Sequence, residues 1–292
     1  MRFYTAAGSG VALYTGLMIG LNQAWYAKQE RSKFHLFNDW NEWKNMDKFG
    51  HWFTSYSYAR FAYQGGRWTG MKENTTLWLA SGISFFLQGS IEILDGYSSK
   101  WGFSVPDMAF NVLGSASFFA QQAIWDEQRI VFKISSFPKS YPEEKLIALD
   151  GSTSYSLAER ARDLYGKSFA ESYLKDYNAQ TVWASLNVAS FFPKSNWPKW
   201  LNLALGYSAE NLYAGFDYDF IDNATGKEYL LDQNRYPRYS QFFLSPDIDF
   251  TRIPTKSHFL KTLFQVLNLF KIPAPALEIN TFGKVRFHTA YL

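Results

Sequence analysis

Residues 201–208 read LNLALGYS, and this stretch alternates apolar side chains with small or polar ones. Its apolar residues, from Leu201 to Tyr207, occupy every second position, which is the period of a β-strand with one buried face. Residues 182–188 (VWASLNV) alternate in the same way. We predict further strands at residues 213–220, 239–244, 248–253, 277–281 and 285–291, and one helix at residues 258–270. The chain from about residue 180 is therefore predicted to form an antiparallel β region.

Six or seven predicted strands leave the shape of this β region open. The smallest bacterial outer-membrane barrels have eight strands, so a closed barrel needs another one, for which residues 130–135 are suitable. Residues Phe287 to Leu292 carry aromatic side chains at alternate positions, as lipid-facing barrel strands do. An antiparallel sheet packed on helices gives the same pattern. The β region could thus be a small or partial membrane barrel, or a soluble sheet.

The N-terminal part of the chain has helical spacing. We predict four helices, within the uncharged run Phe3–Ala27, at residues 46–64 (ended by Gly65-Gly66), at residues 72–94 and at residues 104–128. The first is long enough to span a bilayer, which requires about 20 residues, but a buried helix of a soluble bundle fits as well. The predicted fold class is α+β, a bundle of about four helices followed by the antiparallel β region. We expect a helical region at residues 1–134, a linker with a polar helix (residues 156–175) at 135–178, and the β region at 179–292.

The composition of the 292 residues favours an envelope or membrane-associated protein. One residue in five is aromatic, and Tyr and Trp suit membrane interfaces, where one end of a side chain is apolar and the other wet. The formal charge of +3 is spread along the chain and gives no reason to expect nucleic acid as a partner. Because the chain contains no cysteine, a thiolate metal site, a Cys nucleophile and a lipid-modified Cys are excluded, and we expect no lipid anchor.

Three consecutive predicted helices each carry a polar stripe in otherwise apolar surroundings. Within each stripe the spacings are three or four residues, which place the side chains on one helix face. The polar residues of this region are Asp47, Lys48, His51, Gln88, Glu92, Asp95, Asp107 and Asn111. Because unpaired buried carboxylates are costly, the stripes should face one another, a cation or water. Lys48 projects about 100° away from Asp47 around the helix, so it need not be the counter-ion.

One histidine among several carboxylates has the chemistry of a hard-metal or water-activating site. The candidate catalytic residues are His51, Glu92, Asp95 and Asp107, and the same four would be the ligands of a divalent cation. Asp47, Lys48, Gln88 and Asn111 are the candidate supporting residues. Three of the candidate catalytic residues have a structural alternative: Asp107 could complete a capping box with Ser104, Asp95 could close its helix, and His51 could bond Asp47 or a backbone carbonyl. A structural polar network therefore stays as open as a functional site.

The stretches MDKFGH (46–51), IEILDG (91–96), WGFSVPD (101–107) and NVLG (111–114) together resemble the YfiM-like domain of unknown function, family 2279. Its members are described as periplasmic or outer-membrane lipoproteins, and the long version in Bacteroidota-type bacteria is similar also around residues 176–181 and 244–249. The same order of residues more distantly resembles the VanZ-like membrane proteins. The resemblance implies the outer membrane or periplasm of a Gram-negative bacterium, and it implies no established activity.

Three functions are compatible with these residues. The first is a structural envelope protein, in or on the membrane, with a lipid bilayer as its partner. The second is a metal-assisted hydrolase or transferase acting on a lipid or glycolipid, with His51 as base or ligand. The third is a binding module for an amphipathic ligand or another envelope protein. The sequence contains no nucleophile elbow, phosphate loop, H-E-x-x-H or dinucleotide fingerprint, which excludes the commonest enzyme classes.

Overall fold

A computed structural model describes residues 1–26, 30–222 and 224–291. The predicted end of the uncharged N-terminal run at Ala27 and the terminal Leu292 lie outside these residues. The chain forms two compact units, one of Met1–Trp40 with Lys48–Arg129 and one of Asn41–Asp47 with Ile130–Leu292. The helices of the first unit and the antiparallel sheet of the second confirm the predicted α+β class.

The first unit contains the predicted long helices. They are α1 (Arg2–Leu21), followed by a π-helical turn (Asn22–Tyr26), α2 (Met46–Trp68), α3 (Glu73–Gly96) and α4 (Val105–Trp125), with β1 (Leu36–Phe37) parallel to β2 (Phe103–Ser104). None of the residues of α1, all of which the structure describes, is buried. Among the described helices only α3 is both long and apolar enough to cross a membrane. The helix that could span a bilayer is therefore α3, and not α1 as the sequence suggested.

Two glycines allow the helices of this unit to approach closely. The prediction that Gly65-Gly66 ends the second helix is wrong, because α2 continues to Trp68 and reverses at Gly70, where φ is +89°. Gly66 instead faces Thr76 of α3, where a Cβ would collide with the Thr76 methyl group. Gly114 of α4 similarly lies against the Trp52 carbonyl of α2. These glycines are packing residues, which a sequence rule for helix ends does not distinguish.

Helix α4 begins as its sequence predicts. The Ser104 hydroxyl accepts a hydrogen bond from the Asp107 backbone N–H at 2.9 Å, and Pro106 lies in the first turn, where its missing N–H costs nothing. This cap places the Asp107 side chain at the start of α4.

The second unit is built on a six-stranded antiparallel sheet with the order β12-β11-β10-β7-β6-β3. Its strands are β3 (Ile130–Ser136), β6 (Gln180–Leu186), β7 (Leu201–Glu210), β10 (Tyr239–Ile248), β11 (Ala274–Asn280) and β12 (Val285–Tyr291). Residues 130–136 form the edge strand beside β6. They are the extra strand that the sequence suggested at residues 130–135. The sheet is open within the described residues, and no closed barrel is formed there.

Smaller elements complete the second unit. They are the hairpin of β4 (Lys145–Ile147) and β5 (Ser154–Ser156), the hairpin of β8 (Asp219–Ile221) and β9 (Glu228–Leu230), and the helices α5 (Leu157–Tyr165), α6 (Phe169–Lys175), α7 (Val188–Phe191) and α8 (His258–Leu267). The predicted polar helix at 156–175 is thus two helices. Each begins with its own capping box, at Ser156 and Ser168, and Gly166 with φ +89° separates them.

Two other strand predictions are wrong. Residues 239–253 form one strand and then a 3₁₀ turn (Phe250–Arg252), because the Asp249 side chain accepts a hydrogen bond from the Thr251 backbone N–H and ends the extended conformation. Residues 213–218 are not a strand, and the extended conformation resumes only at β8.

The two faces of the sheet have inverted polarity. Phe287, Leu277, Leu244 and Leu205 are directly paired across β12, β11, β10 and β7, and each is between 40 and 65% exposed. A parallel row of Val285, Ile279 and Phe242 is also exposed. The opposite face buries the apolar cluster of Trp183, Ala204, Phe243 and Ala276 together with many charged and polar residues, namely Lys133, Ser185, Asn202, Gln241, Asp247 and Glu278. Soluble antiparallel sheets have the opposite arrangement, with the apolar face inside.

Candidate functional site

A polar cluster in the first unit is centred on the imidazole of His51 on α2. Its Nδ1 donates a hydrogen bond to the side-chain oxygen of Asn111 on α4 at 3.0 Å, and Gln88 on α3 donates to the same oxygen at 2.8 Å. The three polar stripes predicted from sequence therefore meet, each contributing one of these side chains. Because the Asn111 oxygen accepts from Nδ1, neutral His51 carries its lone pair on Nε2.

Two carboxylates approach the His51 ring. Glu92 Oε1 lies 3.5 Å from Nδ1, and Asp107 Oδ2 lies 3.8 Å from Nε2. Both acids are buried, with exposed fractions of 1% and 5%, whereas the His51 side chain is 18% exposed. His51 is thus the member of this group of three that solvent or a ligand reaches. Both carboxylates lie within the distance that acid–base partners need, directly or through one water.

Lys48 is the counter-ion of two carboxylates in this cluster, a role that the sequence left open. Its side chain is fully buried, and its Nζ lies 2.7 Å from Asp107 Oδ1 and 2.7 Å from Asp39 Oδ2. The angle of about 100° around α2 turns Lys48 away from Asp47. Lys48 still faces α4, which supplies Asp107, and the loop before α2, which supplies Asp39.

Asp39 is the cluster residue that the sequence analysis missed. It accepts a hydrogen bond from the Ser104 hydroxyl at 2.6 Å, so one serine caps α4 and binds this acid. Burial acts to raise the pKa of Asp39, but hydrogen bonds with Asp107, Lys48 and Ser104 outweigh it and hold the pKa below its usual value. Asp39 lies in a loop without periodicity. The only hint in the sequence is that this aspartate follows closely on the short strand β1 (Leu36–Phe37).

Asp95 and Asp47 each accept a hydrogen bond from a tyrosine hydroxyl. The Asp95 carboxylate, at the end of α3, accepts a hydrogen bond from the Tyr26 hydroxyl at 2.7 Å. Burial, the Asp95 charge and hydrogen bond, and the Glu92 charge all raise the pKa of Tyr26, so this phenol stays protonated. Tyr26 is a second residue that the sequence analysis missed. Asp47 belongs to the second unit, where its carboxylate accepts a hydrogen bond from Tyr177 at 2.8 Å.

Serine side chains hold the three helices together below the cluster. The Ser55 hydroxyl on α2 donates to the Asn111 carbonyl oxygen at 2.6 Å, and the Ser84 hydroxyl on α3 donates to the Ser55 carbonyl at 2.7 Å. These bonds fix the backbone that carries Asn111, and Asn111 fixes the His51 ring. The orientation of His51 is therefore set by buried groups on two other helices.

A comparison with known families locates the cluster. Residues 36–122 match the family described as "Predicted periplasmic lipoprotein (DUF2279)". The match covers less than a third of the chain but contains Asp39, Lys48, His51, Glu92 and Asp107. The matched segment contains the buried polar cluster and the helices that carry it, and the description of the family supports a place in the cell envelope. No curated protein and no solved structure shows significant similarity to the chain.

The segment that matches this family can bind or transfer a proton at His51, whose side chain is partly exposed. His51 Nε2 has the lone pair of a base or a metal ligand, and Asp107 beside it stabilises a positive charge there. Lys48 already supplies a positive charge to Asp107, the role that a cation would otherwise have.

Proposed function

We propose that the protein is an integral component of the outer membrane, with helix α3 crossing the bilayer. One observation carries this proposal. Along α3 the polar residues Ser84, Gln88 and Glu92 are buried, whereas Trp78 and Phe86 are 70% and 62% exposed. In water such a surface would have a large unfavourable free energy of hydration, since each large apolar side chain gains about 1.5–3 kcal/mol on burial.

The dimensions of α3 agree with a membrane span. It has 24 residues and a mean hydropathy of 1.4 in its most apolar window. At a rise of about 1.5 Å per residue such a helix exceeds the ~30 Å hydrocarbon thickness of a bilayer. Polar residues inside a membrane normally face the interior of a helix bundle and pair with one another there. Gln88 and Glu92 do so, through Asn111 and His51.

The absence of cysteine makes a direct test possible, because single-cysteine variants need no background substitutions. We would attach a nitroxide spin label at Phe86→Cys and, as a matched control in the same unit, at the exposed loop position Lys33→Cys. The protein would be measured in bilayers for collision with oxygen, which concentrates in lipid, and with a water-soluble nickel chelate. We expect the label at position 86 to collide with oxygen and to be protected from nickel, with the opposite result at position 33.

Equal nickel accessibility of the two labels would refute the span. Release of the intact chain from membranes by carbonate without detergent would refute the integral state. The outer-membrane location is tested separately by separating inner and outer membranes on a density gradient. Recovery of the protein with the inner membrane would overturn that part alone.

A second candidate is a hydrolase or transferase acting on a lipid or glycolipid. The tautomer of His51 favours this candidate. Because Nδ1 donates its hydrogen bond to Asn111, Nε2 carries the lone pair of a base, and the His51 side chain is the partly exposed member of the cluster. In a metal-assisted version, His51 and Asp107 would hold a divalent cation that polarises water.

Two measurements test this second candidate. Metal analysis of purified protein should show a cation that is lost in His51→Ala and kept in the control His258→Ala, and equal negligible metal in all three proteins rejects the cation version. Lipid turnover by wild-type protein should fall at least 100-fold in His51→Ala, because removal of a general base typically costs a factor of about 10² to 10⁴. Unchanged turnover removes His51 from catalysis.

A further inference from the structure

Helix α8 of the second unit has an uncovered apolar face. None of its ten residues, all within the described part of the chain, is buried. At about 100° per residue, the apolar residues fall on one continuous arc and the polar ones on the other. The apolar arc carries Phe259, Leu260, Leu263, Phe264, Val266 and Leu267, and the polar arc carries His258, Lys261, Thr262 and Gln265. Phe259 is 74% exposed.

A cavity of about 310 Å³ adjoins this helix on its polar side. It lies between the 3₁₀ turn and α8, and its lining includes the cationic side chains Arg252 and Lys261 but no carboxylate. Arg252 Nε faces Asp249 at 3.7 Å. The part of the chain that the structure describes places no carboxylate within ion-pairing distance of Lys261, and the adjacent Lys256 is exposed. The surface beside the apolar face is therefore basic.

We infer that α8 lies in the interface of a bilayer leaflet and that Lys261, with Arg252, binds the phosphate of an anionic phospholipid. An amphipathic helix with basic residues at its polar edge inserts its apolar face at the depth of the acyl-chain boundary, which brings those residues to the headgroups. The positive charge of the cavity selects the anionic class, because a zwitterionic lipid balances its phosphate with its own ammonium group, whereas an anionic lipid carries a net negative charge. This inference rests on the proposed membrane location and adds to it a lipid class and a site.

The test measures lipid binding by the full-length protein in neutral detergent micelles. Dioleoylphosphatidylglycerol and, separately, dioleoylphosphatidylcholine would be titrated in, and the rise of the unfolding temperature would be recorded. We expect tighter binding of phosphatidylglycerol. One basic residue at an anionic surface changes binding about fivefold, so Lys261→Glu should weaken it about thirtyfold. Lys194→Glu is the control, because it changes the net charge equally at an exposed position outside the cavity.

Three results would overturn the inference: equal binding of the two lipids, equal loss in both variants, or an equal rise with inorganic phosphate alone. The last result would assign the cavity to a free anion. Lys261→Gln gives a milder change and should weaken binding about fivefold if the charge acts as stated. None of these failures affects the spin-label result at position 86. A water-exposed position 86 would reject the membrane span whatever the lipid preference.

Discussion

Replacement of Lys48 by Met tests whether the buried ammonium stabilises the helical unit. Lys48 is fully buried, and its Nζ lies 2.7 Å from one carboxylate oxygen of Asp39 and 2.7 Å from one of Asp107. Methionine retains most of the apolar volume and removes the charge. Its effect is therefore mainly electrostatic, with little cavity formation.

The expected magnitude follows from the two carboxylates left behind. Removal of one partner of a buried ion pair typically destabilises a protein by about 3–5 kcal/mol, because the remaining charge is uncompensated. Here Asp39 and Asp107 lose the same partner. We expect Lys48→Met to reduce the free energy of unfolding at pH 7 by about 3–5 kcal/mol, the lower end applying if one carboxylate takes up a proton.

The assay is equilibrium unfolding of the full chain in detergent micelles, followed through its 11 tryptophans. Lys33→Met is the matched control, because Lys33 is exposed in a loop of the same unit, where substitutions usually change stability by less than about 0.5 kcal/mol. The triple variant Lys48→Met/Asp39→Asn/Asp107→Asn should be more stable than Lys48→Met, since it has no buried charge left unpaired.

The pH dependence separates charge from packing. In the wild type the Asp39 pKa is lowered, so its contribution is complete above the unfolded value of about 3.9 and is lost as the pH falls through the folded pKa. In Lys48→Met, burial raises the carboxylate pKa, so stability should increase as the pH falls from 7 towards 4. A deficit below about 1 kcal/mol, or the same deficit at pH 4.5 and pH 7, would refute the reasoning.

Two further predictions concern other parts of the chain. Burial lowers the pKa of Lys271 from 10.5 to about 8, so the folded protein binds fewer protons than the unfolded chain and its stability should rise between pH 8 and 10.5. Lys271→Met should abolish that rise and stabilise the protein at pH 7 by up to about 3 kcal/mol. An unchanged pH profile of stability in chemical unfolding would contradict this prediction. Gly114→Val should destabilise the helical unit by at least about 2 kcal/mol through collision with the Trp52 carbonyl. The control is Gly50→Val, at an open α2 position, which should leave stability unchanged or raise it by less than about 1 kcal/mol in the same assay, because valine is a better helix former than glycine.

Much of the cluster was predictable because helical periodicity is local. Spacings of three and four residues indicated one polar face on each of three helices, and His51, Glu92 and Asp107 do converge. The partners of Lys48 were not predictable by the same rule. The angle around α2 says nothing about a loop residue such as Asp39, whose position depends on tertiary contacts. The catalytic and metal-binding roles assigned to these residues stay predictions.

The sheet shows a second limit of sequence patterns. Alternation over residues 201–208 identified a strand, and β7 begins at Leu201 as expected. It did not identify which set of side chains faces inward, because a period of two is the same for both faces. We expected a half-buried strand, and the buried half is the polar one, with Asn202 inside and Leu205 exposed. The alternation carries no information about that choice.

In water, a different strand register would compete with the observed pairing of this sheet. Because side chains alternate, sliding β10 by a single residue along β7 exchanges the two faces of β10 and would bury Phe242 while exposing Asp247. A chain folding away from lipid would be drawn to such slipped pairings. The hairpin between β11 and β12 opposes the slip: Gly283 adopts φ +74°, and the Asn280 side chain accepts a hydrogen bond from the Lys284 backbone N–H at 3.1 Å. That turn fixes the pairing of β11 with β12, and it thereby keeps Leu277 and Phe287 on the same face of the sheet.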